Sequence, residues 1–600
     1  MRSRGISGGW IVGFLGLAAV AAACAAPEGE EDGTSEAAAT DGFQAPEEPA
    51  PSSYVNRGVA NVSFVNLDRS RVEGEQAKKG LDDVLEGRGF RVAFPVVAAK
   101  AAERLGVVSE HIGGILGNRP DRIDTTNADG RFMLSGKLPS FAGRPVPSGT
   151  ALGTSAFTRN GVELTNNNCF TCHAGMVRGQ VVAGLGNHDI DQTVSLAELE
   201  KLMKIETALR ADLRVRNPVG PQPELDELSD FFDNARGTIA PTYRFAEGRG
   251  DNMGPYAVWK RLSRLKDPKT SGLQELPLGQ RTQWDDLFDS VVLTPVDPTP
   301  WWNRKYKKTS YAWGESSPAV AAHFAFNFTT PTAKVNELHE EHTQAIANIL
   351  AFAEQSNSPA YPGTLEGAQV KLGAALFHGK KAIASGGTLG CSNCHGSYTK
   401  SSAFDTVSGW TVDYPDRDVV DVGTDSAYSE IVKKLTPLAT RGNGLADFFG
   451  ARGKPEIAPH VTVPNKPGYV APVLVGVWAS APYFHNGSVP TLYGVLNSSA
   501  RPAVWTRPID NAFAYSTVRV GIAYTEVKMS RQELAAKAAQ LASRDVASKE
   551  RAEFRAIYDT REDGRRATGH TFGDAMNDAE RFAVIEFLKS LSGDEMPARR

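Results

Sequence analysis

Cysteine is scarce in this chain: 600 residues contain five. So few thiols leave little room for a disulfide framework. Neither sign of charge dominates, with 65 Lys and Arg against 69 Asp and Glu and a formal net charge of −4. That balance gives no reason to expect nucleic acid as a partner. A long apolar run is missing as well, because residues 10–20 are too few to span a membrane comfortably. What remains is an ordinary globular composition, 41 % hydrophobic, in a chain long enough for two or more cores.

The few cysteines are arranged. Cys169-Phe170-Thr171-Cys172-His173 and Cys391-Ser392-Asn393-Cys394-His395 use four of the five. C-x-x-C-H is the attachment signal of a c-type haem. Two thiols at that spacing reach two vinyl groups on one porphyrin edge, and the histidine that follows sits under the iron. A zinc or dithiol C-x-x-C beside an idle histidine is the alternative, and two copies argue against it. The expectation is therefore two covalently bound haem c groups, with Cys169, Cys172, Cys391 and Cys394 as attachment points. His173 and His395 are the proximal iron ligands.

The ends of the chain carry other signals. Arg2 and Arg4, the apolar run and Ala21-Ala22-Ala23 before Cys24 read as a signal peptide over residues 1–24. The fifth cysteine stands where bacterial lipoprotein signals, which this segment resembles, place their lipidated residue. Ala21 occupies the position where leucine is commonest, and a plain signal cleaved near Ala23 or Ala26 is the alternative. Either route exports the chain, to the periplasm or the cell surface, with a lipid anchor in the first case. Residues 25–60 are rich in Glu, Ala, Ser, Thr and Pro and read as a disordered tether.

Two units are expected beyond the tether, 61–335 and 336–600, each around one haem. Leu152-Gly153-Thr154-Ser155-Ala156-Phe157 ends 12 residues before Cys169, and Leu372-Gly373-Ala374-Ala375-Leu376-Phe377 ends 14 before Cys391. Both read as a small-residue turn of helix, and the arrangement resembles the first helix of class I cytochromes c. A second helix should cross the first in each half. Residues 335–355 carry Leu338, Ala345, Ile349 and Phe352 on one face, and residues 579–591 carry Phe582, Ile585 and Leu588. The fold class expected is mainly α, two class I cytochrome c-type domains with long irregular loops and few strands.

The sixth position on each iron decides function, since two strong ligands favour electron transfer and an open position admits oxygen or peroxide. His570, in the glycine-flanked Gly569-His570-Thr571-Phe572-Gly573, is the candidate distal ligand of the second haem. His485 is the runner-up, or a hydrogen-bond donor to a propionate or bound molecule. His188 follows the first motif closely and is a candidate for its pocket. Trp301 and Trp302, before the basic residues Arg304, Lys305, Lys307 and Lys308, are candidates for relaying an electron between haems. A packed aromatic pair beside a solvated charge run is the plain alternative.

These motifs resemble the bacterial dihaem cytochrome c peroxidase superfamily, and within it the branch of the latex-cleaving rubber oxygenases. The resemblance rests on Ala481-Pro482-Tyr483-Phe484-His485-Asn486-Gly487-Ser488-Val489-Pro490 and on the stretch from Gly175 to Asn187. Pro300-Trp301-Trp302, Gly423-Thr424-Asp425 and the Gly569-His570 loop add to it. It implies two cytochrome c domains of mostly helical fold. In the peroxidases a methionine shortly after the His485-like motif ligates the second haem. Residues 491–505 hold none here, so the resemblance implies His395 and His570 as the pair. It also implies a first haem with no side chain on its distal face.

The leading expectation is an oxidoreductase moving electrons through two haems, with an open first haem for peroxide or O2. A rubber-oxygenase-like dioxygenase acting on an alkene or isoprenoid is the second reading. A simple electron carrier is the third. The partners implied are an electron donor or acceptor protein, peroxide, O2 or an organic substrate, and a membrane through the anchor, with no nucleic acid. Calcium is kept as a candidate further ion.

Overall fold

A computed structural model of the protein describes chiefly residues 63–105, 153–188, 202–238, 294–307, 340–400, 410–430, 468–543 and 548–593, with short omissions inside several of these. It also describes the short stretch 43–50. The expected signal peptide lies outside the described residues, and among them no helix is long and apolar enough to cross a membrane.

Two helix pairs carry the architecture. In the first, α1 (Glu75–Leu85) crosses α2 (Glu340–Gln355). Ala77, Leu81 and Val84 of α1 face Ile346, Ile349 and Phe352. In the second, α3 (Gly367–Phe377) crosses α4 (Asp578–Ser590). The start of α4 is fixed by a capping box in which Asn577 and Glu580 satisfy each other's backbone N–H.

Each crossing is set by one glycine. A Cβ on Gly80 would stand 1.9 Å from the Asn348 carbonyl oxygen and 2.9 Å from the Phe352 Cβ. A Cβ on Gly373 would stand 1.9 Å from the Ala583 carbonyl oxygen and 2.9 Å from the Phe587 Cβ. Backbones this close leave no room for any side chain. The repeat of the two halves is therefore α1 with α2 and α3 with α4.

That result corrects the sequence-based placing of the repeat. The described part of the expected helix over 152–157 is not helical, because Thr154–Arg159 is a strand (β2) paired antiparallel with Val162–Asn167 (β3). The signal was present in Asn160-Gly161, whose φ angles of 51° and 79° make the tight turn such a hairpin requires. The described part of the expected 335–355 helix is α2, which packs against α1 in one core. Leu338 lies outside the described residues.

Strands are commoner than expected. Among the described residues thirteen short strands form five small sheets. Directly after the first C-x-x-C-H, Ala174–Val177 (β4) and Gln180–Ala183 (β5) form a hairpin. Ser63–Val65 (β1) adds to β5 in parallel. Part of the expected tether is also placed. The Phe43 ring packs 5.7 Å from that of Phe582, and Glu48 accepts a hydrogen bond from the Ser516 hydroxyl at 2.7 Å. An aromatic and a carboxylate with partners on the second half give 43–50 a place that composition alone does not reveal.

Candidate functional site

Both cysteine motifs form short helices, Phe170–His173 with Cys169 as its cap and Cys391–His395. Helical spacing puts the two thiols of each motif one above the other on one face. All four are free. Burial pushes the Cys169 thiol up to about 12, and those of Cys172 and Cys391 up to about 11. Among the described residues no group of three His, Cys, Asp or Glu side chains gathers to hold a metal ion. Neither a zinc cage nor a calcium cage is therefore found among them.

At the second motif, the His395 Nδ1–H donates to the Pro472 carbonyl, 2.9 Å away. A metal-binding imidazole is commonly oriented in this way, its other nitrogen left for the metal. The ring that faces it is His570, with centroids 6.0 Å apart. An imidazole nitrogen sits about 2 Å from a metal, so two rings on opposite sides of one iron have centroids roughly 6 Å apart. The described geometry matches that separation. His570 also holds a buried Nδ1 without a hydrogen-bond partner. Burial, then His395 and Arg501, lower its pKa to about 4, which keeps the ring neutral and able to bind a metal.

The loop carrying His570 is strained and held. His570 has φ 45° and Gly569 has φ 70°, and a Cβ on Gly569 would meet the Gly423 and Thr424 backbone at 2.1–2.4 Å. A left-handed histidine costs about 1–3 kcal/mol and persists only where its surroundings impose it. Here His570 N–H donates to the Val422 carbonyl at 2.9 Å, and Thr568 Oγ1 donates to that of Gly423 at 3.2 Å.

His485, the runner-up, is directed elsewhere. Its ring stacks on Tyr469 at 3.9 Å and 16°, with Tyr428 beyond at 6.3 Å. Its Nε2 is buried and unpartnered, and burial lowers its pKa to about 3. A donor to a bound group fits this setting better than a ligand opposite His395.

The first motif is built differently. His173 has Trp301 as its facing ring, 5.1 Å away at 36°, with Phe170 and Phe352 packed round the indole. The His173 Nδ1 is buried and unpartnered. Burial, reinforced by the charge of Arg304, pushes this imidazole down to about 4. A neutral imidazole with a free nitrogen, one residue from a free thiol, fits the proximal side of a covalent haem. His188 is brought near: Asn187 N–H donates to the Cys172 carbonyl at 2.8 Å, and the His188 Nδ1 lies 3.9 Å from Asp297 Oδ1. Asp297 in turn donates its N–H to the His485 carbonyl at 3.2 Å.

Trp301 and Trp302 open a 3-10 helix, Trp301–Tyr306, and both are buried. Trp301 belongs to the core of α1 and α2, and Trp302 to that of α3 and α4. The Trp302 Nε1 donates to the Val475 carbonyl at 2.8 Å. Four site residues escaped sequence reasoning: Pro472, Asp297, Tyr469 and Arg501. Each meets its partner across a long stretch of chain, and no spacing announces that.

Comparison with known proteins adds the following. Residues 468–506, which hold Pro472, His485 and Arg501, match the family described as RoxA-like, cytochrome c-like. This match supports a cytochrome c-type protein with covalently bound haem c. An uncharacterized protein of Sinorhizobium fredii, y4iM, is 39 % identical over 109 residues. That similarity covers 18 % of this chain and only 21 % of that protein.

Proposed function

We propose that the chain is an exported dihaem c-type cytochrome and an oxidoreductase. Its second haem, between His395 and His570, would be closed. Its first, on His173, would be open to peroxide or O2. The observation that carries this reading is the 6.0 Å separation of the His395 and His570 rings, set against a His173 that faces an indole. The two glycine-set crossings support a pair of cytochrome c-type units. They also support the asymmetry. His570 precedes Ala583 at the second crossing, and counting back equally from Asn348 reaches Val335, a residue with no ligating atom.

Haem iron, when bound, supplies one-electron exchange and, where an axial position is open, a site for a diatomic or peroxide. The side chains supply the rest. His395 and His570 hold neutral nitrogens in place and exclude other ligands. The segment 472–475 touches His395 at Pro472 and Trp302 at Val475, and Trp301 then reaches His173. These residues form the relay we assign between the halves. His188, 3.9 Å from Asp297, would hold or move a proton at Nδ1. The match at 468–506 favours the rubber-oxygenase-like branch, and with it a dioxygenase acting on an alkene or isoprenoid as the second reading. A redox partner protein and a lipid-anchored periplasmic or surface location belong to the same proposal.

The test is cofactor content. Purified protein should carry two haems per chain by mass and absorbance, and Cys169→Ala with Cys172→Ala should leave one. Retention of both by that variant, or zinc in place of haem, would overturn the reading.

A further inference from the structure

Residues 565–571, which present His570, have no regular secondary structure. Something outside the loop must therefore fix a backbone that is locally unfavourable at His570. On one side the 422–423 carbonyls do so. On the other stands Arg501, which follows the helix Leu492–Leu496 and the turn Ser498–Ala500.

Arg501 uses its whole donor set. Nε donates to the Gly494 carbonyl at 2.8 Å, and Nη2 donates to those of Val495 at 3.3 Å and His570 at 3.1 Å. Nη1 donates to the carbonyls of Ala567 and Gly569, both at 2.7 Å. A guanidinium has five N–H groups in a fixed plane, and here every one meets a backbone oxygen. Two contacts anchor the fork to the end of the helix, where carbonyls lack partners within the helix. Three hold the loop. The Phe484 ring lies under the guanidinium carbon at 5.0 Å and also 6.0 Å from the His570 ring, so one aromatic supports both.

We propose that Arg501 is the positioning residue that sets His570 opposite His395. The inference rests on the reading that His570 ligates the second haem. Lysine cannot replace the fork, because an ammonium has three donors around one point and cannot serve five acceptors. Without the fork the loop relaxes from its left-handed turn, and the imidazole leaves its place for part of the time. An outside ligand then competes for the same position, and its apparent affinity rises in proportion to the open fraction.

The experiment compares Arg501→Lys, Arg501→Gln and His570→Ala, each purified with its haems, by spin-state spectra and imidazole titration. The Arg501 variants should keep two haems and an unchanged first haem. Their second haem should show a high-spin fraction and bind imidazole about tenfold more tightly than the wild type. Saturating imidazole should restore the low-spin spectrum. If His570→Ala leaves the second haem low-spin, the ligand assignment fails, and the Arg501 inference with it. If His570→Ala becomes high-spin while both Arg501 variants keep wild-type spectra and imidazole affinity, only the positioning role is overturned. Loss of the second haem or of folding in both Arg501 variants would assign the residue to general structure and would also overturn it.

Discussion

Trp301 and Trp302 are neighbours in the chain, yet their rings lie in different cores. The Trp301 ring packs against His173, Phe170 and Phe352. The Trp302 ring packs in the other core and donates to Val475, three residues past the carbonyl that meets His395. The dipeptide thus touches, in one step, the surroundings of both motif histidines.

Trp302→Phe should therefore slow electron exchange between the halves and leave both haem spectra intact. It keeps an aromatic ring but leaves the buried Val475 carbonyl without its donor, a loss of about 1–3 kcal/mol in stability. Transient reduction kinetics with thermal unfolding check both parts. An unchanged rate would return the pair to a packing role.

The helix crossings make a paired prediction. Gly373→Ala and Gly80→Ala each push a methyl group into a facing carbonyl. Overpacking of this kind costs about 1–3 kcal/mol, or more where backbone must move. Gly373→Ala should disturb the low-spin spectrum assigned to His395 and His570, and Gly80→Ala should spare it. Equal disturbance by both would mean that the halves do not behave as separate units.

The candidate residues of this site stand out in the sequence, whereas the contacts that hold them do not, for a physical reason. The motif residues announce themselves through chemistry, since few other reasons place C-x-x-C-H twice. His570 stands out as a candidate only through its glycine-flanked loop and the family resemblance, with an exposed loop histidine as the alternative. The repeat was misplaced because Leu152-Gly153 resembles Leu372-Gly373 in composition, whereas the true counterpart of Gly373 is Gly80. That glycine sits in a charged helix, Glu-Gln-Ala-Lys-Lys-Gly-Leu-Asp-Asp, far upstream of Cys169. What makes it equivalent is the backbone it touches, and no local pattern records a contact across more than 260 residues, from Gly80 to Asn348. Arg501 was hidden for the same reason: its five partners are carbonyls, which every residue has.

Acid stability offers a test that does not involve the motif histidines. Burial lowers the pKa of His485 from 6.5 to about 3. The unfolded chain then binds more protons than the folded one between those values, so stability rises with pH across that window. Read downward, the contribution of a neutral His485 is complete above pH 6.5 and is lost progressively toward about pH 3. His485→Phe keeps a ring to stack on Tyr469 and removes the titration, so its unfolding midpoint should vary less between pH 6.5 and 4. An acid limb as steep as the wild type's would show that other groups set it.

The division of labour between a closed and an open haem is tested most directly by carbon monoxide. The reduced protein, with its haem content measured, is titrated with CO and followed by absorbance. One CO should bind for every two haems, and the low-spin spectrum assigned to His395 and His570 should persist at saturation. His570→Ala should raise the ratio to one CO per haem. Binding to neither haem in the wild type would contradict the account and leave an electron carrier without a substrate position. Binding to both would contradict it equally, since His570 would then not be holding its place.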